Sequence, residues 1–146
     1  MACGKAIKRQ LLRVLFVKDL VTVVIGREVS GSIFEGARRL YPKETILLLR
    51  GKKSKDSIEV RDLVVPPLAT YGRGFASLPL HMLPMDFSIV GAVHSHPSGN
   101  LSPSHVDFNH FFGRILMIVG YPFAGEKDIA VYDSRGAKLL LRKAKG

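Results

Sequence analysis

The chain has 146 residues, 47% hydrophobic and 23% charged, which admits one domain with a sizeable core and excludes a disordered polymer or two full domains. A single cysteine, Cys3, excludes an intramolecular disulfide framework and fits a reducing compartment. The formal net charge is +10, but the basic residues fall in small separated groups such as Lys5/Lys8/Arg9, Arg50/Lys52/Lys53/Lys55 and Arg142/Lys143/Lys145. No aromatic residues interleave them, so the expectation is a solvated basic surface and not a nucleic-acid platform.

The most apolar early run is LLRVLFVKDLVTVVI, residues 11–25. Arg13, Lys18 and Asp19 interrupt it and no small-residue cleavage site follows, so neither a membrane span nor a signal peptide is expected and the protein reads as cytoplasmic. VTVVI (21–25) is β-branched and predicts a strand. Val29, Ile33, Phe34, Ala37, Leu40 and Tyr41 then recur at steps of three and four, predicting a helix over Ser30 to Tyr41, capped by Ser30 or Ser32 and stopped by Pro42. TILLLR (45–50) is a continuous apolar run, as in a strand covered on both faces, and GKKSKDS turns it into a partner strand, IEVRDLVV (58–65).

Residues 68–85 hold Gly72, Gly74, Pro79 and Pro84 and show no period, so an irregular connection with a short edge strand is expected. FSIVGAVHSH (87–96) returns to β character. Ser102-Pro103 predicts a helix start, serine as cap and proline in the first helical position. RILMIVG (114–120), DIAVYD (128–133) and KLLLR (138–142) complete the strands, the last two joined by the turn SRGA. The fold class is α/β: a single domain over 1–146, core about 20–142, with one curved mixed sheet and two main helices.

One stretch stands apart from this pattern: HSHPSGNLSPSHVD, residues 94–107. His94 and His96 are two apart on a strand, so both imidazoles project to one side. Asp107 lies about one turn into the following helix and can swing back toward them. Two neutral imidazoles and a carboxylate suit a divalent metal, zinc first, and three protein ligands leave a fourth position for water.

The same residues carry a family resemblance. His94-x-His96, seven residues, Ser104, two residues and Asp107 resemble the JAMM motif of the MPN/JAB-domain metalloproteases, and the likeness, closest to small single-domain archaeal-type members, spans about 20–142. In YPKETILLLRG, Glu44 stands where that family places its upstream glutamate; Thr45, Ile46 and Leu47 depart from the small residues that often follow it. The resemblance implies one zinc per chain held by His94, His96 and Asp107, with its water lowered in pKa toward neutrality. It implies Glu44 as the base that takes that water's proton and passes it to the leaving amine, and Ser104 as a hydrogen-bond donor to the oxyanion.

It further implies isopeptide hydrolysis that removes ubiquitin-like modifiers with Gly-Gly tails from proteins. Such a tail would pair with a sheet edge, and residues 72–83 are the candidate edge, with Ala76 and Leu78 as contact positions. His81, His105 and His110 are assigned to surface or packing. Two other readings exist. RadC-like DNA-associated proteins share the His-x-His-Pro-Ser-Gly loop, but usually add an N-terminal helix-hairpin-helix module for which residues before 20 leave no room. Metal-free MPN interaction scaffolds typically lose ligands that are all present here. The expected partners are therefore ubiquitin-like proteins and their conjugates, without nucleic acid or membrane.

Overall fold

Chain order and sheet order differ in this protein, and that difference places the site. The computed structural model describes residues 21–66, 70–72, 75–77 and 86–145. The elements are β1 (Thr22–Ile25), α1 (Arg27–Leu40), β2 (Ile46–Lys53), β3 (Ser57–Val64), β4 (Thr70–Gly72), β5 (Phe75–Ser77), β6 (Ile89–His96), α2 (His105–Asn109), β7 (Ile115–Gly120), a short 3-10 turn (Glu126–Asp128), β8 (Ile129–Tyr132) and β9 (Leu140–Lys143). Seven strands form one mixed sheet in the order β8-β7-β6-β2-β3-β1-β9. β2 pairs antiparallel with β3 and β6, whereas β6 and β7 run parallel, as do β1 and β3. Among the described residues no helix is long and apolar enough to cross a membrane.

Helix α1 begins three residues before the predicted Ser30, with Gly26 as its cap and no side-chain capping bond. Ser30 lies inside it, buried, with its hydroxyl donating back to the Arg27 carbonyl at 3.1 Å. A serine so engaged cannot cap, and the apolar stripe that starts at Val29 needs the extra turn before it. The helix stops at Leu40, because Tyr41 precedes Pro42 and takes ψ 133. Ile33, Phe34 and Ala37 face a core with Val23, Ile25, Leu49, Val60, Val93 and Met117. Ile46, Leu48, Ile89 and Ala92 form a second cluster, against Val64 and Phe112. All eight residues of β6 are buried, as a strand covered on both faces requires.

Three further expectations need correction. α2 is capped by Ser104, not Ser102, and Pro103 lies outside it; Ser102 instead donates its N–H to the Asn100 side chain at 2.9 Å. The connection after β3 supplies two short strands, β4 and β5, which among the described residues pair only with each other in a separate two-stranded sheet. β8 and β9 do not form a hairpin: after the turn the chain makes one bridge, Tyr132 to Lys138, with Leu139 N–H on the Val131 carbonyl at 2.7 Å. β9 then runs parallel to β1 at the opposite edge. Sequence neighbours thus occupy the two edges of one sheet, which curls far enough for those edges to approach.

Two glycines mark where backbones meet too closely for a side chain. A Cβ at Gly91 would lie 2.1 Å from the Ile115 carbonyl oxygen, and one at Gly51, beside the β2–β3 irregularity, 1.8 Å from that of Glu59. Gly31, in α1, has nothing within 4 Å of that position. Gly91→Ala should therefore cost about 1–3 kcal/mol by forced displacement of β7, while Gly31→Ala should gain about 0.5–1 kcal/mol by helix propensity. Denaturant midpoints that move in the same direction for the two variants would contradict this packing.

Candidate active site

The site is assembled at the C-terminal end of β6. His94 and His96 are 1% and 8% exposed, and alternation along β6 places them on the face of Ala92, with His94 beside Ile46 of β2. The chain then turns sharply: Gly99, at φ +80, donates its N–H to the His96 carbonyl at 3.0 Å. That turn brings the Asn100 carbonyl to 2.7 Å from His96 Nδ1. A carbonyl only accepts, so Nδ1 carries the proton and the Nε2 lone pair faces inward when the ring is neutral.

Asp107 reaches the histidines because the start of α2 aims it. The Ser104 N–H donates to Asp107 Oδ2 at 2.6 Å, and the Asp107 N–H donates to Ser104 Oγ at 3.2 Å, a reciprocal capping box. The carboxylate so held has Oδ1 3.2 Å from His94 Nδ1 and Oδ2 3.2 Å from His96 Nε2. The His94 approach lacks hydrogen-bond alignment, and both its ring nitrogens are buried without a hydrogen-bond partner among the described residues. Burial works against charge on Asp107, but the two imidazoles and the Ser104 amide outweigh it and hold the carboxyl well below the ordinary range. For His96, burial disfavours the cation, yet Asp107 and the Asn100 carbonyl prevail and the ring is raised above its usual value.

Do these residues fit a metal? Among the described residues no three His, Cys, Asp or Glu side chains are drawn together into a closed cage. The arrangement is looser, one carboxylate lying between two imidazoles. The donor types nevertheless suit a divalent cation, since His94 offers unsatisfied buried nitrogens and His96 an inward lone pair, both beside an anion. A buried unpaired nitrogen costs about 1–3 kcal/mol, and a shared cation would relieve that cost.

Glu44 enters from the other side. Thr45 N–H donates to Ser95 Oγ at 2.8 Å and Ser95 N–H donates to the Thr45 carbonyl at 3.0 Å, clamping the segment just after Glu44 onto β6 between the two histidines. Glu44 is half-buried; burial raises its carboxyl pKa, Asp107 adds to this, and His96 and His94 partly offset it. Glu44, His96, Asn100, Ser102 and Ser104 line a groove of about 330 Å³. Ser104 Oγ spends a lone pair on the Asp107 amide, so its own proton can still be donated into the groove.

Glu44, His94, His96, Ser104 and Asp107 are thus brought together. Ala76 lies in β5 opposite Tyr71, and Leu78 and His81 fall outside the described residues. His105 is exposed at the start of α2, and His110 Nδ1 lies 2.9 Å from the Val106 carbonyl at its end, both apart from the cluster. Sequence reasoning missed Ser95, whose signal was a small hydroxyl between two candidate ligands. It also missed the Asn100 carbonyl, a backbone group with no side-chain signal. Thr45 and Ile46, noted as departures, are both buried without displacing Glu44.

Residues 27–133 match the family described as prokaryotic homologs of the JAB domain. A probable metalloprotease of Haloferax volcanii is 33% identical over 121 residues, spanning 78% of this chain and 74% of that protein. The crystal structure of a JAB1/MPN domain protein from Archaeoglobus fulgidus is similar at TM-score 0.60 and 32% identity, covering 83% of this chain and 98% of the other. A structure described as JAMM, a metalloprotease-like zinc site in the proteasome and signalosome, matches at TM-score 0.59 and 29% identity over 86% of this chain and 99% of that one. A Desulfitobacterium hafniense protein shares the fold at TM-score 0.57 and 15% identity, covering 85% of this chain and 94% of the other.

The Ser95 clamp generates a test. Ser95→Ala leaves the buried Thr45 N–H without its acceptor, at about 1–3 kcal/mol. Ser95 alternates to the face opposite the histidines, so the variant should keep its metal affinity while losing turnover through a displaced Glu44. Unchanged stability and unchanged turnover together would show that the clamp positions nothing.

Proposed function

Because the chain belongs to the prokaryotic JAB-domain family of JAMM/MPN metalloprotease-like proteins, we propose that it is a zinc-dependent isopeptidase that removes ubiquitin-like modifiers with Gly-Gly tails from proteins. The observation that carries the reading is the Asp107 carboxylate, fixed by Ser104 between two imidazoles, beside a groove that Glu44, His96 and Ser104 line. His94, His96 and Asp107 would hold the zinc, and when bound it supplies Lewis acidity to a water and to the scissile carbonyl.

The chain's own groups supply the rest. Glu44 accepts a proton from the attacking water and returns it to the leaving amine, and its raised affinity for protons suits both transfers. Ser104 donates its hydroxyl proton to the oxygen on which negative charge develops. Asn100 keeps the proton of His96 on Nδ1 and so leaves Nε2 basic. A tail without side chains would need the least room to lie in the groove of about 330 Å³. Among the described residues β5 pairs only with β4, which supports its other edge as the place where such a tail adds as a strand, with Ala76 and Leu78 as contacts. One cysteine in the whole chain fits work in a reducing cytoplasm.

Glutamine keeps the size of glutamate but accepts no proton, so Glu44→Gln should lower kcat about 10²- to 10⁴-fold while zinc stays near one per chain. Asp107→Asn should instead lose zinc, since it removes the charged ligand, and weaken the α2 cap. Zinc analysis with single-turnover cleavage of a Gly-Gly-linked conjugate separates the two. Near wild-type cleavage by Glu44→Gln would move the base elsewhere, and wild-type protein purified without chelator and free of zinc would end the enzyme reading.

The edge is tested separately. Ala76→Pro removes a ladder N–H and should raise KM for the conjugate without altering zinc content. A variant with normal KM would place the tail on another surface.

A further inference from the structure

At the far end of the sheet from the active site, three loops converge on a second cleft of about 680 Å³. The end of β2 and the turn after it contribute Lys53, Ser54 and Lys55, the residue before β7 is Arg114, and the turn after β8 contributes Ser134 and Arg135. Arg114 donates its N–H to the Val90 carbonyl near the start of β6 at 2.8 Å. His96 ends that same strand, six residues on, or about 20 Å away along an extended chain.

The charges around this cleft do not cancel. Among the described residues its one carboxylate is Asp133, already engaged, accepting from the Arg135 and Ala137 amides at 2.9 Å each and from the Arg135 guanidinium at 3.1 Å. Lys53, Lys55 and Arg114 have no ion-pair partner among the described residues. Cations gathered in a concavity concentrate their field, and that field calls for a ligand of dense negative charge. Serine hydroxyls beside lysine and arginine are the groups that hold phosphate oxygens. Among the described residues no aromatic side chain lines the cleft, so single-stranded bases would find no stacking platform on them. Its strand residues Lys53 and Ile58 already pair with each other and the rest of the described lining is turn and loop, so an acidic peptide would find no open strand edge there.

We propose that Lys53, Lys55 and Arg114, with Ser54 and Ser134, form a docking surface for the phosphate backbone of double-stranded nucleic acid, leaving the groove over Glu44 free. The surface would tether the protein to nucleic-acid-bound targets without reading their sequence, because its contacts are to phosphates alone.

The test is binding of the full chain to a short fluorescent DNA duplex by anisotropy across a salt series. Three neutralised phosphates predict a slope of log affinity against log salt near −2.7, or roughly 40-fold weaker binding at 200 mM than at 50 mM salt. Lys53→Ala with Lys55→Ala should flatten the slope by about 2, and adding Arg114→Ala should leave little binding. A control that removes equal charge elsewhere, Lys127→Ala with Lys145→Ala, should leave the slope unchanged. All five side chains are exposed, so melting temperatures should agree and exclude unfolding as the cause. Absence of duplex binding at 50 mM salt would overturn the proposal. So would equal loss in the cleft and control variants, which would mean general surface charge, or displacement of duplex by polyglutamate at lower concentration, which would mean an acidic protein.

Discussion

The reciprocal hydrogen bonds between Ser104 and Asp107 hold the candidate active site together. A carboxylate at the third position of a short helix would ordinarily turn to solvent. Here the Ser104 amide holds one oxygen at 2.6 Å, so the group faces the buried end of β6 with its charge intact. Helix α2 has only five residues, too few to stand on propensity, so the bonds that cap it are the ones that hold Asp107 beside the histidines. The helix needs Asp107 to begin, and the histidines need Asp107 to be balanced.

The sheet supplies what that short helix lacks. β6 is buried along its whole length and clamped on both sides, by β2 through Ile46 opposite His94 and by β7 through Ile118 and Gly120 opposite the two histidines. A strand so enclosed cannot slip by one residue without sending both imidazoles to the opposite face. The Thr45–Ser95 exchange extends this register past the end of β2 and carries Glu44 with it. Rigid scaffold and candidate reactive groups are therefore joined by hydrogen bonds of the backbone.

The two ends of β6 carry opposite electrostatics. At the C-terminal end two carboxyls, Glu44 and Asp107, stand among imidazoles in a half-buried groove. At the N-terminal end lysine and arginine side chains surround an exposed cleft whose only acid among the described residues is already engaged. One short sheet keeps these environments separate because about 20 Å of buried strand lies between them.

Period-two and period-3.6 patterns are local, and what they encode was legible in the sequence. The order of strands and helices, the apolar face of α1, the shared side of His94 and His96, and the spacing to Ser104 and Asp107 all follow from neighbours within a few residues. Cap positions were less legible, because Ser30, Ser102 and Ser104 are equivalent on paper. Only the bonds they make, to Arg27, to Asn100 and to Asp107, distinguish them. The tertiary structure alone decided what depends on distant segments meeting. It set β9 beside β1, where four residues of each strand pair, and left the chain after β8 a single bridge instead of a hairpin. It tied Thr45 to Ser95 across fifty positions, and it turned Lys53, Lys55, Arg114 and Arg135, scattered in the chain, into one cationic cleft. Charge and hydrogen bonding act through space, so their partners are fixed only when the sheet has closed.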